Sequence, residues 1–331
     1  MNNIKVSILV PICNVEKYLD KCLQSIIKQS LNEIEIVCIN DGSKDNSLEI
    51  IKKYAQNDNR IIIIDKANTG YGDSMNQGLR IAKGEYIGIV ESDDFIDSDM
   101  FRKLYENAKK YNADIVKSNF YFYWENPLKL IYKNNLKIKS ILLDTEICRR
   151  KLFLGMPAIW SAIYKNNWLK KEKIEFLPTP GASYQDISFR FKSVALAQKI
   201  VLIPEALLYY RQDNPNSSVK STAMEKIYLN HKEYDEIKKF IKERNLWEFN
   251  KYFCNKLLSA CALNYGRIDK VYRKEYYNFF INELKIIDRW EIDYIDLPTW
   301  LRYGGYFAIK NNFRILLNFM IKLKKIKEKI F

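Results

Sequence analysis

The chain has 331 residues, 47% of them hydrophobic and 28% charged, a globular balance with material for about two domains. Lys and Arg number 54 against 40 Asp and Glu, a net charge of +14, which admits nucleic acid, anionic lipid or anionic small molecules as partners. A single histidine, His231, argues against a Ser-His-Asp triad or a histidine-rich metal site; in the polar stretch Asn230-His231-Lys232-Glu233 it reads as a solvated helix residue. From Val6 to about Tyr123, short apolar runs alternate with helical patterns. Val6 to Val10 reads as a buried strand ended by Pro11, and Asn14 as the cap of a helix carrying Leu19, Cys22, Leu23, Ile26 and Ile27 at helical spacing. Ile34 to Ile39 is a second strand, followed by a helix from Asp45 or Ser47. Ile61 to Ile64 is a third strand, followed by a helix from Asp73 to Ala82. Tyr86 to Val90 is a fourth, with a helix from near Ser98 through Met100, Leu104 and Ala108, and Ile115-Val116 begins a fifth.

The segment from about Tyr123 to Leu154 is rich in Lys and Asn and fits either a two-stranded excursion or a helix. A helix is expected around Ile187 to Ala197, then strand-like runs at Ile200–Ile203 and Ala206–Tyr210, and helices beyond Ser221. Six cysteines (Cys13, Cys22, Cys38, Cys148, Cys254 and Cys261) show no CxxC pairing and read as buried free thiols in a reducing compartment. The first residues lack a signal peptide's apolar core, and no apolar run is long enough to span a bilayer, so a cytoplasmic location is expected. No zinc-finger spacing or RNA-recognition motif occurs, and nucleic acid is not an expected partner.

Strand-helix alternation at this spacing argues for an α/β fold, a mostly parallel sheet with helices on both faces. In such sheets ligands bind beyond the carboxyl ends of the strands. Three chemically distinctive stretches fall there: Pro11, Asn40-Asp41-Gly42, and Glu91-Ser92-Asp93-Asp94. Three carboxylates at the end of a buried strand call for a cation or hydrogen-bond donors, and Mg²⁺ or Mn²⁺ shared with substrate phosphates would serve. An acidic cap on the following helix is the simpler alternative. At the turn after the second strand, Asp41 is expected to point over the rim, where it can accept a hydrogen bond from a base N–H; a plain turn with a helix cap is the rival reading. Asn68-Thr69-Gly70-Tyr71-Gly72 is a glycine-bearing loop suited to wrapping a nucleotide sugar.

In this order and at this spacing, these stretches resemble the family-2 glycosyltransferases of the GT-A fold. The match takes in Val6 to Pro11 with Asn14 to Leu19, Cys22 to Ile26, Ile39 to Ser47, Asn68 to Leu79 and Gly84 to Asp94. It continues more thinly through Trp160, Gly181 to Asp186 and Tyr209-Tyr210-Arg211. The resemblance implies a Rossmann-like GT-A catalytic domain over 1–220, with a nucleotide-binding part over about 1–123 and an acceptor part over about 124–220, and a helical C-terminal region over 221–331. It implies that Asp41 contacts the base, that Pro11 lines its pocket, and that Asn68, Gly70, Glu91 and Ser92 complete the donor side. Asp93 is then the ligand of Mn²⁺ or Mg²⁺ bridging a donor diphosphate, and Asp94 orients the acceptor or lies one step behind it.

The family usually has Asp at the first acidic position, where this chain has Glu91. The catalytic base implied by the resemblance is Asp186, ionised near its ordinary pKa of about 3.9. Its acidic neighbour in the family is replaced by Gln185 here, while Trp160 and Tyr184 are candidates for stacking on sugar faces. The activity implied is metal-dependent, inverting transfer of a sugar, most readily from a UDP-sugar, to a glycan or lipid-linked acceptor in polysaccharide or glycoconjugate biosynthesis. Two rivals stay open: a sugar nucleotidyltransferase, which would carry a Gly-rich loop where Pro11-Ile12-Cys13-Asn14 stands, and a non-catalytic nucleotide- or carbohydrate-binding module. From Tyr306 the chain reads as a basic amphipathic helix, suited either to an anionic membrane surface or to packing on the fold.

Overall fold

The first apolar run forms strand β1 (Val6–Ile12), and every residue of it is buried, as is every residue of β2 (Ile34–Asp41). Strands covered on both faces have no polar side to show, which is why these runs do not alternate. The computed structural model describes residues 4–215, 217 and 224–285; the expected basic helix beyond Tyr306 lies outside the described residues. The chain divides into two compact units, Met1–Val219 and Lys220–Phe331.

In the first unit β1 pairs in parallel with β2 on one side and with β4 (Tyr86–Ile89) on the other, and β2 pairs in parallel with β3 (Ile61–Lys66). The intervening helices are α1 (Glu16–Ile27), α2 (Ser47–Ala55) and α3 (Tyr71–Ile81). Beyond β4 the sheet turns mixed. β8 (Ala162–Lys165) joins β4 antiparallel, β6 (Ile115–Trp124) joins β8 antiparallel, and β9 (Ile200–Arg211) runs parallel to β6. A two-residue strand, β5 (Phe95–Ile96), pairs with the far edge of β9, and β7 (Lys129–Lys133) folds back on β6 as a hairpin. The strand order is β3-β2-β1-β4-β8-β6-β9-β5. The remaining helices of this unit are α4 (Met100–Tyr111), α5 (Thr145–Leu154), α6 (Asn166–Glu172) and α7 (Asp186–Leu196).

Several expectations are corrected. Asn14 does not cap α1: its backbone is left-handed (φ 54°), and its Oδ1 accepts from the Lys44 amide at 2.8 Å. The capping is reciprocal instead. Asp45 Oδ2 accepts from the Glu16 amide at 2.9 Å, and Glu16 Oε2 accepts from the Asn46 amide at 2.8 Å, so each helix start is closed by a carboxylate from the other. The helix after the acidic tetrad begins at Met100, because β5 takes up Phe95–Ile96 first. The ambiguous 123–154 segment holds both a hairpin and a helix, β7 and α5. The two runs on either side of Pro204 form one strand, with the register shifts against β6 absorbing the proline region.

In the second unit, α8 (Met224–Arg244), α9 (Asn250–Arg267) and α10 (Arg273–Lys285) are the α-helices among the described residues. His231 is not solvated. It is 4% exposed, its Nε2 lies 2.8 Å from the Tyr276 hydroxyl, and burial pushes its pKa down to about 4. Ile227, Tyr234 and Ile241 are buried on the same helix, and position 231 falls on their stripe at i+4 and i−3 spacing. Of the six free cysteines five are buried, and Cys13 is exposed.

Candidate functional site

The carboxyl ends of β1, β2 and β4 lie side by side because those strands are parallel neighbours. Asp41, the last residue of β2, is buried and turned inward rather than over the rim. Its Oδ1 accepts from the Thr69 amide at 2.9 Å and from Lys66 Nζ at 2.5 Å, and its Oδ2 accepts from the Gly70 amide at 3.0 Å. A carboxylate offers about four acceptor positions, so one is left for a ligand. Asn68 donates from Nδ2 to the Asp41 carbonyl at 2.8 Å, which completes a tight junction between β2 and the 66–70 loop. Gly70 is required there. Its φ is +98°, and a Cβ would meet the Thr179 carbonyl oxygen at 2.7 Å and the Gly181 nitrogen at 2.9 Å.

The chain leaving β4 supplies the acidic group. Glu91 Oε1 accepts from the Tyr71 hydroxyl at 2.8 Å, which joins the start of α3 to the end of β4. Asp93 Oδ2 accepts from Asn214 Nδ2 at 2.8 Å, and the Asp93 carbonyl accepts from Arg211 Nε at 2.9 Å. Asp94 is buried; its Oδ1 accepts from the Arg211 amide at 2.8 Å, and its Oδ2 has no hydrogen-bond partner. The end of β9 is thereby stitched to the acidic stretch, an arrangement that the sequence does not announce.

Asp186 is the first residue of α7 and is close enough for its charge to act on Glu91, Tyr71, Tyr164 and Tyr210. Burial pushes Asp186 up to about 6, opposed by the Arg190 guanidinium one helical turn on. The expectation of an ordinary carboxylate is thus corrected, though a group at about 6 is still mostly ionised at neutral pH. Burial pushes Glu91 up to about 8; the Tyr71 hydrogen bond opposes this, and the charges of Asp93 and Asp186 add to it. Burial likewise raises Asp93, against the Asn214 hydrogen bond, and raises Asp94 well above the usual carboxylate range, with Asp93 adding to the effect. Burial here favours the protonated carboxyls, and a bound cation would favour their ionised forms instead.

The other anticipated residues divide. Pro11 is buried within β1 beside Ile39, and Ser92 is buried beneath the acidic turn. Gln185 is a brace: its Oε1 accepts from the Ser183 amide at 2.7 Å, and its Nε2 donates to Thr179 Oγ1 at 2.9 Å. Tyr184 is half-buried with a left-handed backbone, φ 70°. Trp160 is not an open platform. It is 6% exposed, with Phe120 and Tyr210 ring centroids at 4.7 and 4.9 Å. Residues that sequence reasoning missed are Tyr71, Lys66, Tyr210 and Asn214; Tyr71 sits in the glycine loop and Tyr210 beside Arg211, but nothing local marks Asn214. Among the described residues no group of three or more His, Cys, Asp or Glu is disposed to hold a metal by itself. Asp93 and the orphaned Asp94 Oδ2 fit a hard cation that takes its other oxygens from substrate phosphate and water.

Residues 7–172, half of the chain, match the family described as glycosyl transferase family 2. The chain belongs to that family. Among similar proteins, the uncharacterized glycosyltransferase EpsJ of Bacillus subtilis is 33% identical over 222 residues, covering 64% of this chain and 62% of EpsJ. Glycosyltransferase GlyG of Streptococcus pneumoniae is 42% identical over 217 residues, 62% of this chain and 70% of GlyG. The chain thus spans less than two thirds of EpsJ. The crystal structure of S. aureus TarS 1-349 in complex with UDP-GlcNAc superposes with a TM-score of 0.71 at 20% identity, covering 95% of this chain and 90% of that one. This family-2 glycosyltransferase accordingly has the GT-A fold, with a helical region after it. Among the described residues no helix is long and apolar enough to cross a membrane.

Proposed function

We propose that the chain transfers a sugar from a UDP-sugar to a hydroxyl of a glycan or lipid-linked glycan, with inversion, in the building of a polysaccharide or glycoconjugate. One observation carries this reading: a carboxylate at the start of α7, Asp186, lies close enough to Glu91, just beyond the end of β4, for its charge to act on that group. A base and a diphosphate-binding end on separate elements are what direct displacement at a sugar carbon needs. Asp186 takes the proton of the acceptor hydroxyl as that oxygen attacks. Its raised pKa leaves it ionised at neutral pH and more basic than a free carboxylate. On the donor side Asp41 and the 68–70 backbone face the base, Pro11 lines its pocket, and Glu91 and Ser92 flank the ribose. The UDP-GlcNAc held by TarS supports a uridine nucleotide.

Asp93 is the residue that would hold Mn²⁺ or Mg²⁺, with Asp94 behind it; such an ion, when bound, neutralises the charge that gathers on the departing diphosphate. Tyr184 and Gln185 shape the acceptor side, and Trp160 backs it from within the fold. The basic segment after Tyr306 enters this reading as an element that rests on an anionic membrane surface. Loss of vesicle sedimentation on deleting residues 311–331, with transfer to a soluble acceptor retained, is the expected result for it.

The decisive experiment offers a panel of nucleotide sugars with and without Mn²⁺ or Mg²⁺ and follows release of the nucleotide, with NMR of the product for anomeric configuration. Metal-stimulated release from one UDP-sugar, with inversion, is expected. Turnover of none of the panel would leave a binding module as the better description.

A further inference from the structure

The two faces of the β6–β7 hairpin carry different chemistry. Register places Phe122 opposite Tyr210 of β9 and Ile131 of β7, Phe120 opposite Lys133, and Trp124 opposite Lys129, so these side chains share one face. Ring contacts agree. Tyr210 lies 5.8 Å from Phe122, and Phe122 lies 6.2 Å from Trp124, between ring centroids. The row starts beside the acidic group, because Tyr210 lies close enough to Asp94, Asp93, Asp186 and Glu91 for their charges to act on its hydroxyl. It ends some residues outward, at the tip of the hairpin.

Two ammonium groups stand along this row. Lys133 Nζ is 4.3 Å from the centre of the Phe122 ring, and Lys129 Nζ is 5.2 Å from that of Trp124. Among the described residues neither lysine has a carboxylate partner, whereas Lys21 and Arg211, which serve the opposite face, both pair with Glu125. An ammonium resting on an exposed ring is held weakly, so an anion can take it over. Phe122, Trp124, Ile131 and Lys133 are only half-buried and Lys129 is exposed, so the face is accessible. Half-buried rings in a line suit the apolar faces of sugar units, and free ammonium groups between them suit negative charges at intervals.

We propose that this face is an acceptor track, and that the acceptor is an anionic oligosaccharide, with sugar or polyol units bearing phosphodiester or carboxylate groups, laid outward from Tyr210 past Phe122 to Trp124 and contacted by Lys133 and Lys129. The inference rests on the transferase reading for its direction, since the reacting hydroxyl must lie at the Asp186 end. Continuity with the acidic rim and the unpaired positive charge favour this occupant over a membrane.

The test uses the full chain, the double variant Lys129→Ala/Lys133→Ala, and Trp124→Ala. Binding of three soluble probes is measured by calorimetry: a glycerol-phosphate oligomer, a glucuronate-containing tetrasaccharide and neutral chitotetraose. UDP binding with Mn²⁺ is measured alongside. The unmutated chain is expected to bind at least one anionic probe roughly tenfold or more tightly than chitotetraose, and which one distinguishes phosphate from carboxylate. The double variant should lose most of that preference, Trp124→Ala should weaken all the oligosaccharides it binds, and UDP affinity should be unchanged in both. Equal affinity for neutral and anionic probes, binding of none of them, or an unchanged preference in the double variant would overturn the proposal. So would loss of binding to anionic phospholipid vesicles in the double variant with oligosaccharide binding intact, which would make the hairpin a membrane contact. Loss of UDP binding in the unmutated chain is a separate result and bears on the transferase reading alone.

Discussion

The Tyr71 hydroxyl donates to Glu91 Oε1 at 2.8 Å, so the first residue of α3 and the second residue beyond the end of β4 share one proton-bearing contact. Glu91 titrates at about 8 rather than at its ordinary 4.5, and the native state therefore keeps a proton that the unfolded chain releases. The free energy of unfolding must then fall as pH rises from 4.5 through about 8, with a slope from this one group of at most about 1.4 kcal/mol per pH unit. Asp186 adds a contribution of the same sign between 3.8 and about 6. Glu91→Gln keeps the hydrogen bond and removes the titration. It is expected to flatten the fall in Tm between about pH 6 and about pH 8, measured by thermal scans across that range. A decline as steep as that of the unmutated protein would place the titrating group elsewhere.

Asp93→Ala should remove the part of UDP binding that depends on Mn²⁺ or Mg²⁺ while leaving the fold intact by circular dichroism. Calorimetry on the unmutated protein that gave equal UDP affinity with and without the ion would count against any metal role for this residue.

Asp186→Asn keeps size and removes the proton acceptor. Transfer is expected to fall by at least about 10²-fold with donor affinity little changed. In the unmutated enzyme kcat/KM should rise with pH through about 6, because the base must be ionised to act. Near-normal turnover in the Asn variant would assign the proton to another group.

Gly70→Ala places a side chain on a φ of +98° and drives it into the Thr179 carbonyl. A loss of roughly 1–3 kcal/mol in stability is expected, together with weaker UDP binding, since the Thr69 and Gly70 amides that hold Asp41 must shift. Chemical denaturation and calorimetry on the same preparation would read both; an unchanged protein would show that the loop relaxes freely.

The parallel half of the sheet was legible because its strands are buried on both faces. Ile34–Ile39, for instance, could be read as a strand from its apolar run alone. The acidic stretch and Asp186 were legible through spacing and resemblance, but their electrostatics were not, since the rise of Glu91 and Asp186 comes from burial by residues distant in the chain. Asn214 and Arg211 meet Asp93 and Asp94 only because β9 ends beside β4's exit, a long-range pairing without a local signature. Trp160 and His231 show the converse. His231 has polar neighbours in sequence and Trp160 is by sequence a candidate for sugar stacking, yet each is buried by partners, Phe120 for Trp160 and Tyr276 for His231, that the linear order does not bring near.

The Gly181 carbonyl accepts from the Tyr71 amide at 2.9 Å, and Gln185 ties the same loop to Thr179. The stretch that carries Asp186 is therefore bolted to the stretch that carries the Glu91 partner, and no lid has to swing to bring them together. On the transferase reading, Asp186 and Glu91 are set relative to each other by the fold itself, before an acceptor arrives. On that reading water would meet the same carboxylate as a sugar hydroxyl, and slow hydrolysis of the donor in the absence of acceptor is the expected consequence.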